Sequence, residues 1–249
     1  MSITDRTKGG RIMLQIINYS KEYKGGKKAV DNLSLEVKKG EIFGFIGHNG
    51  AGKTTTIKSI VGILDFKEGD IIINGISIKD NPKECKKILA YIPDNPDLYD
   101  CLTGIQYLNF IGDIYCIEKK KREDLIKKYG EIFEITNALG GLVSSYSHGM
   151  KQKLAIISAL IHNPKLLVLD EPFVGLDPKA SHSLKEIMRD MCNNGSAIFF
   201  STHVLEVAEK LCNKIAIIKD GVIVTKGDIN KVKGDNTLED VFMELIDNE

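Results

Sequence analysis

Apolar positions fall into two rhythms along this chain. From Met13, MLQIINYSKEY alternates weakly, and VDNLSLEVKKGEIFGFIG holds two strand-like runs, LSLEV and EIFGFIG. The second run is largely apolar and leads straight into glycines, as a buried strand feeding a turn does. TTIKSIVGIL has helical length and spacing. In EGDIIINGISI, Asn74-Gly75 between β-branched runs predicts a hairpin, and KIAIIKDGVIVTKG predicts another turning at Asp220-Gly221. LLVLD and AIFFST read as short buried strands, the first with a parallel-sheet signature. Helices are predicted from about Lys179 to Asn193, over LEVAEKLC and over TLEDVFMELI, where Leu238, Val241, Phe242 and Leu245 share a face. Residues from Pro82 to Ile161 change character. PKECKKILA, GIQYLNFIGDIYCI, KREDLIKKYGEIF and GMKQKLAIISALIH are all helix-like. Strands alternating with helices at both ends imply an α/β core, with the helix-rich middle as an inserted lobe. No repeat, low-complexity segment or long linker interrupts it.

Composition narrows the class. With 249 residues, 43% hydrophobic and 27% charged, the chain has ample material for a packed core. The formal net charge of zero gives no bulk attraction to nucleic acid or to an anionic membrane. Basic runs such as Lys119 to Arg122 read as a solvated face. The five cysteines (Cys85, Cys101, Cys116, Cys192 and Cys212) are scattered without a CxxC, which argues for a reducing compartment and against a zinc site. No apolar run is long enough to span a bilayer. The opening MSITDRTKGGRI is polar and carries no signal-peptide pattern; it reads as a short disordered lead or an upstream-start artefact.

Three segments carry chemistry. GHNGAGKTT, Gly47 to Thr55, fits G-x-x-x-x-G-K-[ST] and lies between an apolar strand and a helix. Glycines let several backbone N–H groups point at one anion. Lys53 brings a compact charge to the β- and γ-phosphates, and the Thr54 hydroxyl is a Mg²⁺ ligand. LLVLDEP ends a buried strand with Asp170, suited to meet that Mg²⁺, and Glu171, suited to polarise a water as general base. STH follows another strand, from which His203 can reach a γ-phosphate. Taken alone, paired carboxylates at a strand end and a lone histidine are equally ordinary loop residues; the phosphate loop is what turns the reading toward chemistry. SSYSHGMKQKL is a fourth, odder case: Ser147, His148 and Gly149 open a helix, with lysines close behind. This is either a plain serine N-cap with surface lysines or a positive helix end built to face an anion.

In the order GHNGAGKT, YSHGMKQ, LLVLDEP, GLDP, STH, the chain resembles the ATP-binding subunit of an ABC transporter, exporter-type, from about Met13 to Ile246. The GTPase pattern N-K-x-D is absent. The resemblance implies an α/β fold: a P-loop NTPase core with an antiparallel β subdomain and an inserted α-helical lobe. It also implies a single ATPase domain over 1–249, with the β subdomain and P-loop region at 13–80, the helical lobe with the signature motif at 81–162, and the rest of the core and tail at 163–249. It further implies that Tyr23 stacks on adenine and that Gly47, His48, Asn49, Gly50, Ala51, Gly52, Lys53, Thr54 and Thr55 wrap the phosphates of ATP. Asp170 and Glu171 become the Mg²⁺-linked acid and the catalytic base, and His203 the γ-phosphate sensor. The positive helix end then meets an anion supplied in trans. Ser147 and the Gly149 backbone touch the γ-phosphate on a second subunit, and Gly175 to Asp177 form the loop crossing a head-to-tail homodimer or heterodimer interface. A separate transmembrane permease is the expected partner, no nucleic acid is expected, and the expected place is the cytoplasmic face of the membrane.

Two positions depart from the family pattern. The signature reads Tyr146, Ser147, His148, Gly149, Met150, so a bulky titratable group stands where glycine is usual. In YIPDNPDLYDCLT, Asp94 stands for a glutamine that reaches Mg²⁺ and the attacking water; a carboxylate can bind either, and many exporter-type members resemble this chain there. Aromatics at Tyr99, Tyr107, Phe110 and Tyr115 are core material or part of a permease groove. The competing class is a non-transport ABC ATPase acting on ribosomes or nucleic acid. A single cassette without a heptad insertion disfavours it, and the joint presence of Lys53, Asp170, Glu171 and His203 disfavours a degenerate binding module. The transported substrate is not encoded in this chain.

Overall fold

Nineteen β-strands and α-helices follow one another in the computed structural model, which describes residues 12–26 and 28–247. The first part holds β1 (Ile12–Glu22), β2 (Lys28–Lys38), β3 (Ile42–Ile46), α1 (Lys53–Ile60), β4 (Glu68–Ile73) and β5 (Ile76–Ser77). The middle holds α2 (Pro82–Ile88), β6 (Leu89–Ile92), α3 (Gly104–Ile114), α4 (Lys119–Ile132) and α5 (His148–Leu160). The last part runs β7 (Leu166–Asp170), α6 (Pro178–Asn193), β8 (Ala197–Thr202), α7 (Leu205–Leu211), β9 (Lys214–Lys219), β10 (Val222–Asp228), α8 (Ile229–Lys233) and α9 (Leu238–Asp247). The polar lead at 1–12 lies, apart from Ile12, outside the described residues.

Two sheets result. Strands β2-β1-β4-β5 form an antiparallel sheet; β10-β9-β3-β8-β7-β6 form a second, parallel from β9 to β6 with β10 antiparallel at its edge. Both hairpin predictions hold at the level of the backbone. Asn74 and Gly75 have φ of 48° and 85°, and Asp220 and Gly221 have 48° and 83°, the positive pair that a type I′ turn needs.

Strands β3, β7 and β8 of the six-stranded sheet are buried on both faces, so their side chains divide by the two-residue period of a strand. Phe43 and Phe45 of β3 face the antiparallel sheet and α1, together with Val168, Phe199 and Ile218. Ile42 and Ile46 face the opposite way, into a core with Leu167, Phe200, Ile217 and helices α5, α6 and α7. Phe199 stands at the centre of the first core, stacked on Phe43 at 5.7 Å and tilted against Phe45 at 5.4 Å.

The reading of PKECKKILA as one helix needs correction. The helix stops at Ile88, and Leu89 to Ile92 pair in parallel with Leu166 to Leu169 as the edge of the core sheet. Leu89, Ala90 and Ile92 are buried there, a demand that overrides the helical propensity of the preceding lysines. The lobe proper is α3, α4 and the first part of α5. A Thr103–Gln106 capping box starts α3, and the Glu118 carboxylate, accepting from the Lys120 and Lys121 N–H groups, starts α4. Tyr115 stacks on His162 with ring centroids 3.7 Å apart, and His162 Nε2 lies 3.2 Å from the Leu89 carbonyl, which ties the lobe to β6. At the far end, Leu238 is fully buried and Val241, Phe242 and Leu245 are half-buried, as the shared face predicts.

Phe199→Ala removes the middle ring of the aromatic stack. It is expected to cost about 3–5 kcal/mol of stability in urea unfolding, with the slope unchanged.

Candidate functional site

The loop between β3 and α1 has its shape forced by lack of room. A Cβ on Gly47 would sit 2.5 Å from the Ile218 carbonyl oxygen, and one on Gly52 would sit 2.6 Å from the Ala29 carbonyl oxygen. Gly52 also has φ of 107°, in the left-handed region. The backbone therefore closes tightly, and α1 begins at Lys53 with no side-chain cap at Gly52. Lys53 is buried, and its ammonium donates to the Gly47 carbonyl at 2.6 Å and the His48 carbonyl at 3.2 Å. Burial pushes its pKa down, against the pull of Glu171 and Asp170. The Thr56 hydroxyl donates to the Gly52 carbonyl at 2.9 Å and braces the first turn.

The two carboxylates arrive at the end of β7, whose neighbour β8 supplies their support. Ser201 is fully buried, donates to Asp170 Oδ1, and accepts from the Glu171 N–H at 3.2 Å. The Ser201 carbonyl accepts from the same N–H at 3.3 Å. Glu171 needs this support because its φ of 48° is left-handed, a strain of about 1–3 kcal/mol for a residue with a side chain. Its carboxylate is met from two sides: His203 Nδ1 lies 2.9 Å and Lys53 Nζ 3.8 Å from Oε1. That oxygen is buried and accepts no hydrogen bond in this geometry.

A cleft of about 200 Å³ is lined by Asn49, Gly50, Gly52, Lys53, Thr54, Thr55, Asp94, Asp170 and Glu171, with Ala29 completing the wall. His203 touches Glu171 from the rim. His48 lies beside the loop, with Nδ1 2.8 Å from the Asn49 carbonyl and Nε2 3.8 Å from Asp220. Ala51 is buried beneath it. Tyr23 is 44% exposed, reaches Thr55 Oγ1 at 3.2 Å, and lines an adjoining cavity with Lys21, Phe66 and Glu68. Asp94 stands at the mouth. Loss of water on its inner side and the carboxylates of Asp170 and Glu171 push its pKa up, while His148 and His203 oppose this.

Ser147, Gly149 and Asp177 do not line this cleft. Ser147 caps α5, accepting from the Met150 N–H at 3.3 Å. Asp177 caps α6 through the Ala180 N–H at 2.8 Å and pairs with Lys153 at 2.6 Å, which holds its carboxyl below the usual range.

The donors suit a hard cation. Thr54 and the carboxylates of Asp170 and Asp94 offer oxygen only, and Mg²⁺ binds through one or two carboxylates and keeps several waters. Among the described residues no group of three His, Cys, Asp or Glu forms an all-protein metal cage. Two contributors escaped the sequence reading. Ser201 had a signal, being the first residue of STH; Ala29 acts through its carbonyl and had none.

The sequence matches the ABC transporter family over residues 30–174. It is 35% identical over 228 residues to YhcH of Bacillus subtilis, described as an uncharacterized ABC transporter ATP-binding protein, covering 91% of this chain and 72% of that one. It is 35% identical over 232 residues to the linearmycin resistance ATP-binding protein LnrL of the same organism, covering 91% and 73%. A solved structure described as the ATP binding subunit of an ABC transporter superposes with a TM-score of 0.90 at 33% identity, over 94% of this chain and 99% of the other.

The raised Asp94 pKa fixes a sign. The folded chain binds this proton more tightly than the unfolded chain, so stability falls as pH rises through the raised value; the penalty is absent below the ordinary carboxylate pKa. Asp94→Asn is expected to raise the Tm of the nucleotide-free chain at pH 7, with the gain vanishing below about pH 4. A gain independent of pH would contradict it.

Proposed function

This chain belongs to the ABC transporter family of ATP-binding subunits, and we propose that it hydrolyses ATP to drive a separate membrane permease, in the direction of export. The observation that carries the chemistry is the convergence of Lys53, Asp170, Glu171 and His203 on one phosphate-sized cleft. On this reading the β- and γ-phosphates take over Lys53, which otherwise leans on its own loop carbonyls and toward Glu171. Glu171 then accepts the proton of the attacking water, and His203 orients the γ-phosphate from the rim. Thr54, Asp170 and Asp94 would hold Mg²⁺, which supplies charge neutralisation at the phosphate oxygens. Tyr23, at the edge of the adjoining cavity, would carry the adenine.

Ser147 and the Gly149 N–H lie away from the chain's own cleft, on a helix start with free donors. This supports their service to ATP on a second ATPase subunit in a head-to-tail dimer, with Gly175 to Asp177 between the two. ATP then favours the closed dimer because both halves contact it, and hydrolysis removes that differential contact. We read the chain as one ATPase domain: β subdomain and phosphate loop first, helical lobe with the signature next, remaining core and tail last. Exposed Tyr99, Phe110 and Ile114 on the lobe form the face offered to the permease. No described helix is long and apolar enough to cross a membrane, which fits peripheral attachment at the cytoplasmic face. Export is supported by Asp94, by the TLEDVFMELI tail, and by the similarity to LnrL, whose name records resistance.

Glu171→Gln is expected to lower ATP turnover by about 10²–10⁴-fold while leaving ATP binding intact. Lys53→Ala is expected to lose ATP binding itself, read by titration calorimetry. The partner claim is tested by a tagged pull-down of the Glu171→Gln form with ATP from detergent-solubilised native membranes. Recovery of one polytopic membrane protein is expected; ribosomes or nucleic acid without any membrane protein would overturn the transport role and leave the ATPase chemistry standing.

A further inference from the structure

The loop from Glu171 to Asp177 carries the base at one end and the cap of α6 at the other, and its midpoint is walled in by the start of α5. A Cβ on Gly175 would lie 2.5 Å from His148 Cδ2 and 2.9 Å from His148 Nε2, so the imidazole ring occupies the side of Gly175 where a side chain would project. Gly175 also has φ of 78°. From the other direction, a Cβ on Gly149 would lie 2.7 Å from the Gly175 carbonyl oxygen. One turn further along α5, Lys153 pairs with Asp177 at 2.6 Å. Successive residues of α5 therefore hold the loop at its midpoint and at its end.

The loop is not slack between these points. The Val174 N–H donates to the Glu171 carbonyl at 3.2 Å, and the Leu176 N–H to the Phe173 carbonyl at 3.4 Å, so two tight turns link Gly175 back to Glu171. Phe173 stands edge-on to buried Phe200 at 6.2 Å and anchors the first turn. A shift of Gly175 is thus carried to Glu171, the residue already held in a left-handed backbone conformation.

We propose that His148 is a positioning residue for ATP hydrolysis: its ring is the stop against which Gly175 rests, and it registers the helix that begins at Ser147 with the loop that begins at Glu171. The ring acts by shape. A histidine on an exposed helix start with no role in the loop would show no energetic coupling to Gly175. This inference rests on the ATPase reading above for its kinetic consequence, but the contact itself does not.

The test is a double-mutant cycle in the full chain, with wild type, His148→Gly, Gly175→Ala and the double variant, and His148→Phe as the conservative replacement. ATP turnover and thermal unfolding are read on each. Gly175→Ala is expected to lower kcat about tenfold or more when His148 is present, and about threefold or less in the His148→Gly background, where only the backbone strain remains. His148→Gly alone is expected to lower kcat with little change in KM for ATP, and His148→Phe to keep kcat within about twofold. Equal effects of Gly175→Ala in both backgrounds, or a His148→Phe loss as large as that of His148→Gly, would overturn the proposal. If Gly175→Ala fails to fold with His148 present, its rescue by His148→Gly is the expected coupling; if neither variant folds, the Gly and Phe replacements at position 148 decide. A wild-type chain that binds but never hydrolyses ATP would defeat the ATPase reading instead, and the same cycle in Tm would still decide the contact.

Discussion

The Lys53 ammonium is held by its own loop. Its bonds to the Gly47 and His48 carbonyls close a ring of backbone that glycine alone permits, and they keep a buried cation partnered. The rest of the site is arranged around this charge. Strand β3 brings the loop in between β8 and β9; β8 carries Ser201 and leads into His203, and β7 beside it ends in Asp170 and Glu171. Parallel order is what puts these ends on one side of the sheet. On the proposed reading, phosphate binding amounts to an exchange of partners for a lysine whose position is already fixed, with little reorganisation left to the moment of binding.

Some features of the chain run against local preference. Glu171 takes a left-handed backbone, its Oε1 is buried without a hydrogen bond, and Gln152 on α5 is fully buried with neither amide atom partnered. A buried amide left unpaired costs about 1–3 kcal/mol. The starts of α3, α4, α5 and α6 are capped by side chains, and strands β3 and β7 are wholly buried. Local preference yields at Glu171 to the demands of the site, while the two strands that carry the loop and the carboxylates keep a fully packed frame.

What could be read in the sequence follows from the range of each interaction. The phosphate loop, the two hairpins and the cap at Ser147 depend on residues a few positions apart, and their residue types announce them. The edge strand β6 was hidden because no breaker separates it from α2; its pairing with β7 is settled by a partner far along the chain. Ser201 as the support of both carboxylates, the Ala29 carbonyl against Gly52, and the His148 ring on Gly175 are contacts across the fold, and no periodicity encodes them. Asp177 was legible as a loop residue, but its occupation by Lys153 was not.

The position of β3 in the sheet also bears on how the molecule comes into being. Ile42 pairs with Ile198, and Phe43 with Lys214, whereas β1 finds β2 and β4 close by in the chain. During synthesis the antiparallel sheet can therefore assemble early from local pairings, while the all-apolar-faced β3 waits beside it for strands not yet made. The nucleotide cradle is then among the last parts to acquire its walls. Until it does, an unpaired strand of Ile, Phe and Gly is the segment most in need of protection from other chains.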